Sequence, residues 1–252
     1  MFPVQDDAPR VGVPLATYLL IGLNAVVFFI ELSLPQPVLE KIIYLFGVVP
    51  ARFTDPNFTD PYFTHQWEHL KYLTFLTCMF LHGSWVHFLG NMWTLWIFGD
   101  NVEDRMGSVR FVIFYLLCGV AASLMHIYMH PHSTVPTIGA SGAISGVLGA
   151  YYALFPFARI VVMVPIFIFP FFFELPAILY LAWWFLFQVF SGMLSVVQGE
   201  IVGGVAWWAH AGGFIAGLLT HRFFCLGRRK RIWQDERSPW GIVPLPRERL
   251  NH

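Results

Sequence analysis

Six apolar stretches, most of them close to the twenty residues an α-helix needs to cross about 30 Å of hydrocarbon, recur along this chain. They cover residues 15–34, 85–98 with a lead-in from Leu73, 111–129, 141–157, 176–197 and 205–224. Backbone polar groups find no water in lipid, so such stretches are expected to close their own hydrogen bonds as helices. Composition agrees, with 57% hydrophobic residues, only 12% charged and a mean hydropathy of +0.61. A soluble domain carries about twice that charge. The fourth stretch is short and rich in small residues, as suits a helix buried among others. The predicted fold is an all-α integral membrane bundle of six transmembrane helices. It forms a single domain, residues 14–224, between an N-terminal segment 1–13 and a basic tail 225–252. Little chain is left for a soluble partner domain.

Basic residues set the expected orientation. With the N-terminus cytoplasmic, the inner segments hold Arg10, Arg105, Arg110, Arg159 and eight more from Arg222 onward. The outer segments hold Lys41, Arg52 and Lys71. A formal net charge of zero thus conceals a strong asymmetry, and both termini are expected in the cytoplasm. The run Arg228-Arg229-Lys230-Arg231 beside a terminal span reads as an anchor on anionic lipid, not a nucleic-acid patch. The first nine residues are acidic and contain proline, unlike a cleavable signal or a transit peptide, so the first span is expected to act as an uncleaved anchor. Cys78, Cys118 and Cys225 are odd in number and scattered, giving neither a disulfide framework nor a CxxC metal motif. The location this implies is a cell membrane, crossed several times, of bacterial or archaeal type.

Three linking segments carry information. Residues 35–70 alternate aromatics such as Phe46, Phe53, Tyr62 and Trp67 with Pro and Asp, a mixture suited to the headgroup boundary. Residues 160–173 are almost wholly apolar but broken by Pro165 and Pro170, which predicts a re-entrant or hairpin-like segment packed on protein. The glycine-rich link 198–204 is a candidate lid.

Chemistry enters with Ser141, in Gly139-Ala140-Ser141-Gly142 at the start of the fourth stretch, and His210, in Ala209-His210-Ala211-Gly212-Gly213 within the sixth. An imidazole in hydrocarbon must find partners or face water. A serine at a helix N-terminus sits among N–H groups that lack intrahelical partners, where the helix dipole favours a developing oxyanion. His87 and Asn91 stand at i and i+4 on one helix face and supply two further donors. Gly213 and Gly217 permit close packing of two helices. Singly, each residue has a plain structural explanation, as a helix crossing, a cap or interhelical glue. Jointly they fit a nucleophile, a general base and two oxyanion donors.

These residues resemble the rhomboid family of intramembrane serine proteases. The likeness runs through four motifs in the family's order: 81–91 (LHGSWVHFLGN), 99–107 (GDNVEDRMG), Gly139-Ala140-Ser141-Gly142 and Ala209-His210-Ala211-Gly212-Gly213. The resemblance implies that Ser141 is the nucleophile and His210 the general base, with His87 and Asn91 stabilising the oxyanion. It implies that Glu103 and Arg105 are a structural loop pair. Two positions depart from the family pattern. Leu73-Thr74 stand where many rhomboids have Trp-Arg, and Ser145 stands where some relatives stack an aromatic on the histidine. With no acidic residue mid-span, the orientation of His210 is expected to come from packing, and catalysis from a Ser–His dyad. Neither cofactor nor metal is expected. The expected substrates are single-span membrane proteins cut near the outer face, where helix-breaking or small residues let the span unwind. Lipid is the other partner, and nucleic acid is not one.

Other classes fit less well. A His-Glu-x-x-His metalloprotease helix is absent, and so are paired mid-span aspartates. His126, His130 and His132 have spacing that a metal would accept, but interface histidines of this kind are more often solvated. A transporter would put charged or unwound elements at mid-membrane. The rival reading is a non-cleaving rhomboid-like adaptor that binds transmembrane helices, which usually lacks the serine or the histidine.

Overall fold

The computed structural model describes residues 2–60, 63, 65–167, 169–198 and 205–225. Strand β1 (Phe2–Asp6) leads into helix α1 (Leu15–Ser33), then α2 (Gln36–Phe46) and the single turn α3 (Ala51–Thr54). A 3₁₀ stretch (His65–Leu73), α4 (Thr74–Thr77) and a second 3₁₀ turn (Cys78–Phe80) precede the long helices α5 (Trp85–Met106) and α6 (Ser108–Met129). Helix α7 (Ser141–Leu154) is followed by β2 (Arg159–Ile166), β3 (Phe169–Pro176), α8 (Ala177–Gln198) and α9 (Trp207–Phe224). All six apolar stretches are helical in their main part. Three helices, α1, α6 and α8, are long and apolar enough to cross a membrane unaided. Helix α5 makes a fourth span if counted with residues 69–80, from which it bends by 81°. Helix α7 has 14 residues, about 21 Å of rise, and is buried along nearly its whole length. The molecule is a multi-pass membrane protein built as a helical bundle.

One expectation is corrected: the fold is not all-α. A three-stranded antiparallel sheet, order β1-β2-β3, sits beside the bundle. Pro165 and Pro170 forbid a helix there, and in the hairpin they face each other in register, with Ile166 opposite Phe169 at the turn. Strand β1 adds along the other edge, from Phe2 opposite Met163 to Asp6 opposite Ile160. The hairpin-like reading of 160–173 is therefore met, but only the base of the hairpin packs on protein. Ile160 and Val162 are buried, whereas Phe169, Phe171, Phe172 and Phe173 are exposed. The N-terminal segment, acidic in sequence, supplies the third strand and is strapped to the bundle. Trp93 Nε1 donates to the Pro3 carbonyl at 2.7 Å, and Asn101 Nδ2 donates to the Ala8 carbonyl at 3.0 Å. Arg10 pairs with Asp100 at 2.8 Å, and the Tyr151 hydroxyl near the end of α7 donates to the Asp6 carboxylate. Burial pushes the Asp6 carboxyl up to about 7, against the opposing effect of that hydrogen bond.

Glu103 joins three helices. Its buried carboxylate accepts from the Ala16 and Thr17 N–H groups at 2.9 and 2.8 Å and from the Thr17 hydroxyl at 2.8 Å. It also accepts from the Ser108 hydroxyl at 2.6 Å. Pro14 offers α1 no side-chain cap, so Glu103 satisfies first-turn donors that would otherwise be orphaned, at the dipole's positive end. The expected Glu103–Arg105 pair divides. Glu103 holds helix ends, while the Arg105 guanidinium lies 5.8 Å over the Phe155 ring.

The loop that follows α2 is held by Arg52, whose side chain bonds Asp60 at 2.6 Å and the carbonyls of Gly47 and Tyr44. Its guanidinium lies 4.4 Å over the Phe63 ring. Val48 exchanges both backbone hydrogen bonds with Thr137, which fixes the segment that leads into Gly139 and Ser141.

Candidate active site

Ser141 opens α7, and its position follows from what precedes it. The Gly139 N–H donates to the Cys78 carbonyl at 2.8 Å, and Gly139 has φ +124°, a region that strains residues with a Cβ. A Cβ there would also lie 2.6 Å from the His87 ring and 3.7 Å from Asn91 Nδ2. The glycine thus lets the chain turn into α7 directly against the two residues expected as oxyanion donors.

Helix α9 reaches α7 because their backbones touch. A Cβ on Gly213 would collide with the Gly142 carbonyl, and one on Gly217 with the Gly146 carbonyl. Two glycine pairs, one turn apart, form the seam that the Gly213-xxx-Gly217 spacing predicts. Across it, His210 Nε2 lies 2.8 Å from Ser141 Oγ, although 69 residues separate them.

Both residues lie in an open cleft whose walls include His87, Asn91, His126, Trp184 and Ala209. All four expected site residues therefore share one space. The Ser84 hydroxyl caps α5 by accepting from the His87 N–H at 3.2 Å. Asn91 is buried, and its Nδ2 has no hydrogen-bond partner among the described residues. His126, His130 and His132 also line the cleft. Among the described residues no group of three His, Cys, Asp or Glu side chains is arranged to hold a metal ion.

Two features of the site are not evident from the sequence reading. Gln188, in the interior of α8, places Oε1 2.8 Å from His210 Nδ1. Its signal is a lone amide within the apolar run Trp183 to Phe190, which in a span needs a reason. Ser145, a departure from the family pattern, turns inward, its hydroxyl donating to the Ser141 carbonyl at 2.6 Å. Aromatic neighbours come from elsewhere, since the Trp184 and Trp207 ring centroids lie 6.1 and 6.4 Å from that of His210. The candidate lid, apart from Gln198, and the basic tail beyond Cys225 lie outside the described residues.

Helical spans around a cleft that pairs a serine with a histidine define a class of membrane protein. The Rhomboid domain model matches residues 69–227, and the chain belongs to the rhomboid family. It is 36% identical over 186 residues to Rhomboid-like protease 5 of Toxoplasma gondii, covering 68% of this chain and 19% of that protein. It is 34% identical over 146 residues to Rhomboid protease GluP of Bacillus subtilis, covering 57% and 25%. Likeness to the mitochondrial presenilin-associated rhomboid-like protein of Mus musculus is 34% over 179 residues, covering 65% and 42%. The chain thus spans less than half the length of each of these relatives.

Proposed function

We propose that this chain is an intramembrane serine endopeptidase working through Ser141 and His210. The observation that carries the reading is the 2.8 Å contact of His210 Nε2 with Ser141 Oγ at the N-terminus of a buried helix. His210 takes the hydroxyl proton as Oγ attacks a substrate carbonyl, and then delivers it to the leaving amine. Water repeats the exchange to release the acyl group and restore the serine. His87, Asn91 and the Ser141 N–H receive the oxyanion, each such donor contributing about 3 kcal/mol in the transition state. The Asn91 Nδ2, without a partner among the described residues, supports that role.

The reading extends to six spans, with α7 and α9 as the inner pair, both termini cytoplasmic and the cleft opening toward the outer face of a cell membrane. The substrates are single-span membrane proteins cut near the outer end of their helix. The test uses a fluorophosphonate probe and a model single-span substrate with purified protein in detergent. The parent chain is expected to label and cleave. Ser141→Ala is expected to do neither, and His210→Ala to lose cleavage, each at near-parent thermal stability. A parent chain that never labels would be an adaptor, and cleavage by clean Ser141→Ala would exclude the dyad.

A further inference from the structure

His210 has a second ring nitrogen, and its partner decides whether the first can act. Nε2 can accept the Ser141 proton only in the neutral ring that carries its proton on Nδ1. Nδ1 faces Gln188 Oε1 at 2.8 Å, so an N–H there meets an amide acceptor. The opposite tautomer would set a nitrogen lone pair against an oxygen lone pair and would point an N–H at Ser141. From this geometry we propose that Gln188 is a positioning residue, whose amide oxygen holds His210 in the tautomer that can deprotonate Ser141. The inference rests on the dyad reading above and gives the dyad a neutral third member.

Three observations converge on this role. Gln188 is buried, so its amide has little water to bond instead. The sequences of α7, α8 and α9 contain no Asp or Glu, so no carboxylate on these helices takes the place beside Nδ1. Ser145, four residues beyond the nucleophile, bonds the Ser141 carbonyl, so α7 does not supply the orienting group either. Helix α8 supplies it with one face, since Trp184 lies four residues before Gln188 and its ring flanks the same imidazole. An amide suits the setting because it accepts a hydrogen bond without the desolvation cost of a buried carboxylate.

The proton balance is simple. The Ser141 hydroxyl proton moves to Nε2 as the Oγ–carbonyl carbon bond forms, and passes to the leaving nitrogen as the C–N bond breaks. The Nδ1 proton stays on Nδ1 throughout, donated to Gln188 Oε1, and that bond strengthens while the ring is an imidazolium.

The experiment measures cleavage of a model single-span substrate by the full chain, with kcat and KM resolved and the pH profile recorded. Gln188→Leu removes the acceptor at similar volume. It is expected to lower kcat by about tenfold to a hundredfold with KM little changed, smaller than the loss of a charged third member. Gln188→Glu keeps an oxygen acceptor, so turnover is expected to stay within a few-fold of the parent. The acid limb of its kcat/KM profile is expected to move to higher pH, because a carboxylate beside the ring favours imidazolium. A purely structural role would leave that limb in place. Parent-like kcat in Gln188→Leu overturns the proposal. So does an unmoved acid limb in Gln188→Glu, which decides the matter even if the Leu variant does not fold. Failure of the dyad itself reads differently, as cleavage by Ser141→Ala in the same assay. Inactive Ser141→Ala beside parent-like Gln188→Leu would reject the Gln188 role alone.

Discussion

In the proposed mechanism the side chains at the cleft divide by when they act. His210 and Ser141 already touch in the free protein, so their contribution is fixed before substrate arrives. Asn91 holds a buried donor with no partner among the described residues, a costly arrangement unless the missing acceptor appears during reaction. Asn91→Ala is therefore expected to lower kcat by about a hundredfold and to leave KM near the parent value, with His87→Ala similar but smaller. Steady-state kinetics on the single-span substrate check this, and a rise in KM alone would make both residues binding contacts. The four expected site residues are legible because each is a polar group that an apolar span must justify. Gln188 obeys the same logic but draws less notice, because an amide is cheaper to bury than an imidazole. Its partner is beyond reach, since nothing in sequence says which face of α8 meets α9.

At the scale of elements, the site depends on how closely two helices approach. The glycine seam between α7 and α9 brings backbone against backbone, and the 2.8 Å contact between Ser141 and His210 exists only at that separation. Gly213→Val or Gly217→Val is expected to push α9 away, abolish probe labelling of Ser141 and lower the melting temperature. Gly22→Ala, where an added Cβ meets nothing within 4 Å, serves as the control. It is expected to hold or raise stability by up to about 1 kcal/mol. Labelling and thermal unfolding of the three variants distinguish a geometric effect from a general sensitivity to substitution. The helices are readable because apolar length is a long-range property of the sequence. The sheet is not, because 160–173 lacks the apolar–polar alternation that marks a half-buried strand. Its two prolines exclude a helix without revealing that Phe2–Asp6 pairs along the edge.

For the molecule as a whole, the N-terminal strand is tied to the helix that carries Ser141. Asp6 lies on the N-terminal strand and bonds Tyr151 near the end of α7, with Asp7 and Asp100 adding repulsion. Burial pushes its carboxyl up from the ordinary 3.8 to about 7 in the folded protein. The folded state therefore binds the proton more tightly, and its stability falls as pH rises from about 4 to about 7. Hydrogen exchange of β1 amides is expected to show protection declining over that window relative to Asp6→Asn, which should show no such decline. Equal protection in both proteins at every pH would remove Asp6 from the account. The Glu103 junction imposes a constraint of another kind, in time. The first-turn donors of α1 wait for a carboxylate encoded 86 residues further on. At about 5–20 residues per second, roughly 4 to 17 seconds of synthesis pass before that partner exists. Until then the first-turn N–H groups of α1 have only water or lipid headgroups to bond. The contact that joins the start of α1 to α5 and α6 therefore cannot form before the end of α5 has been made, which imposes an order on the assembly of this bundle.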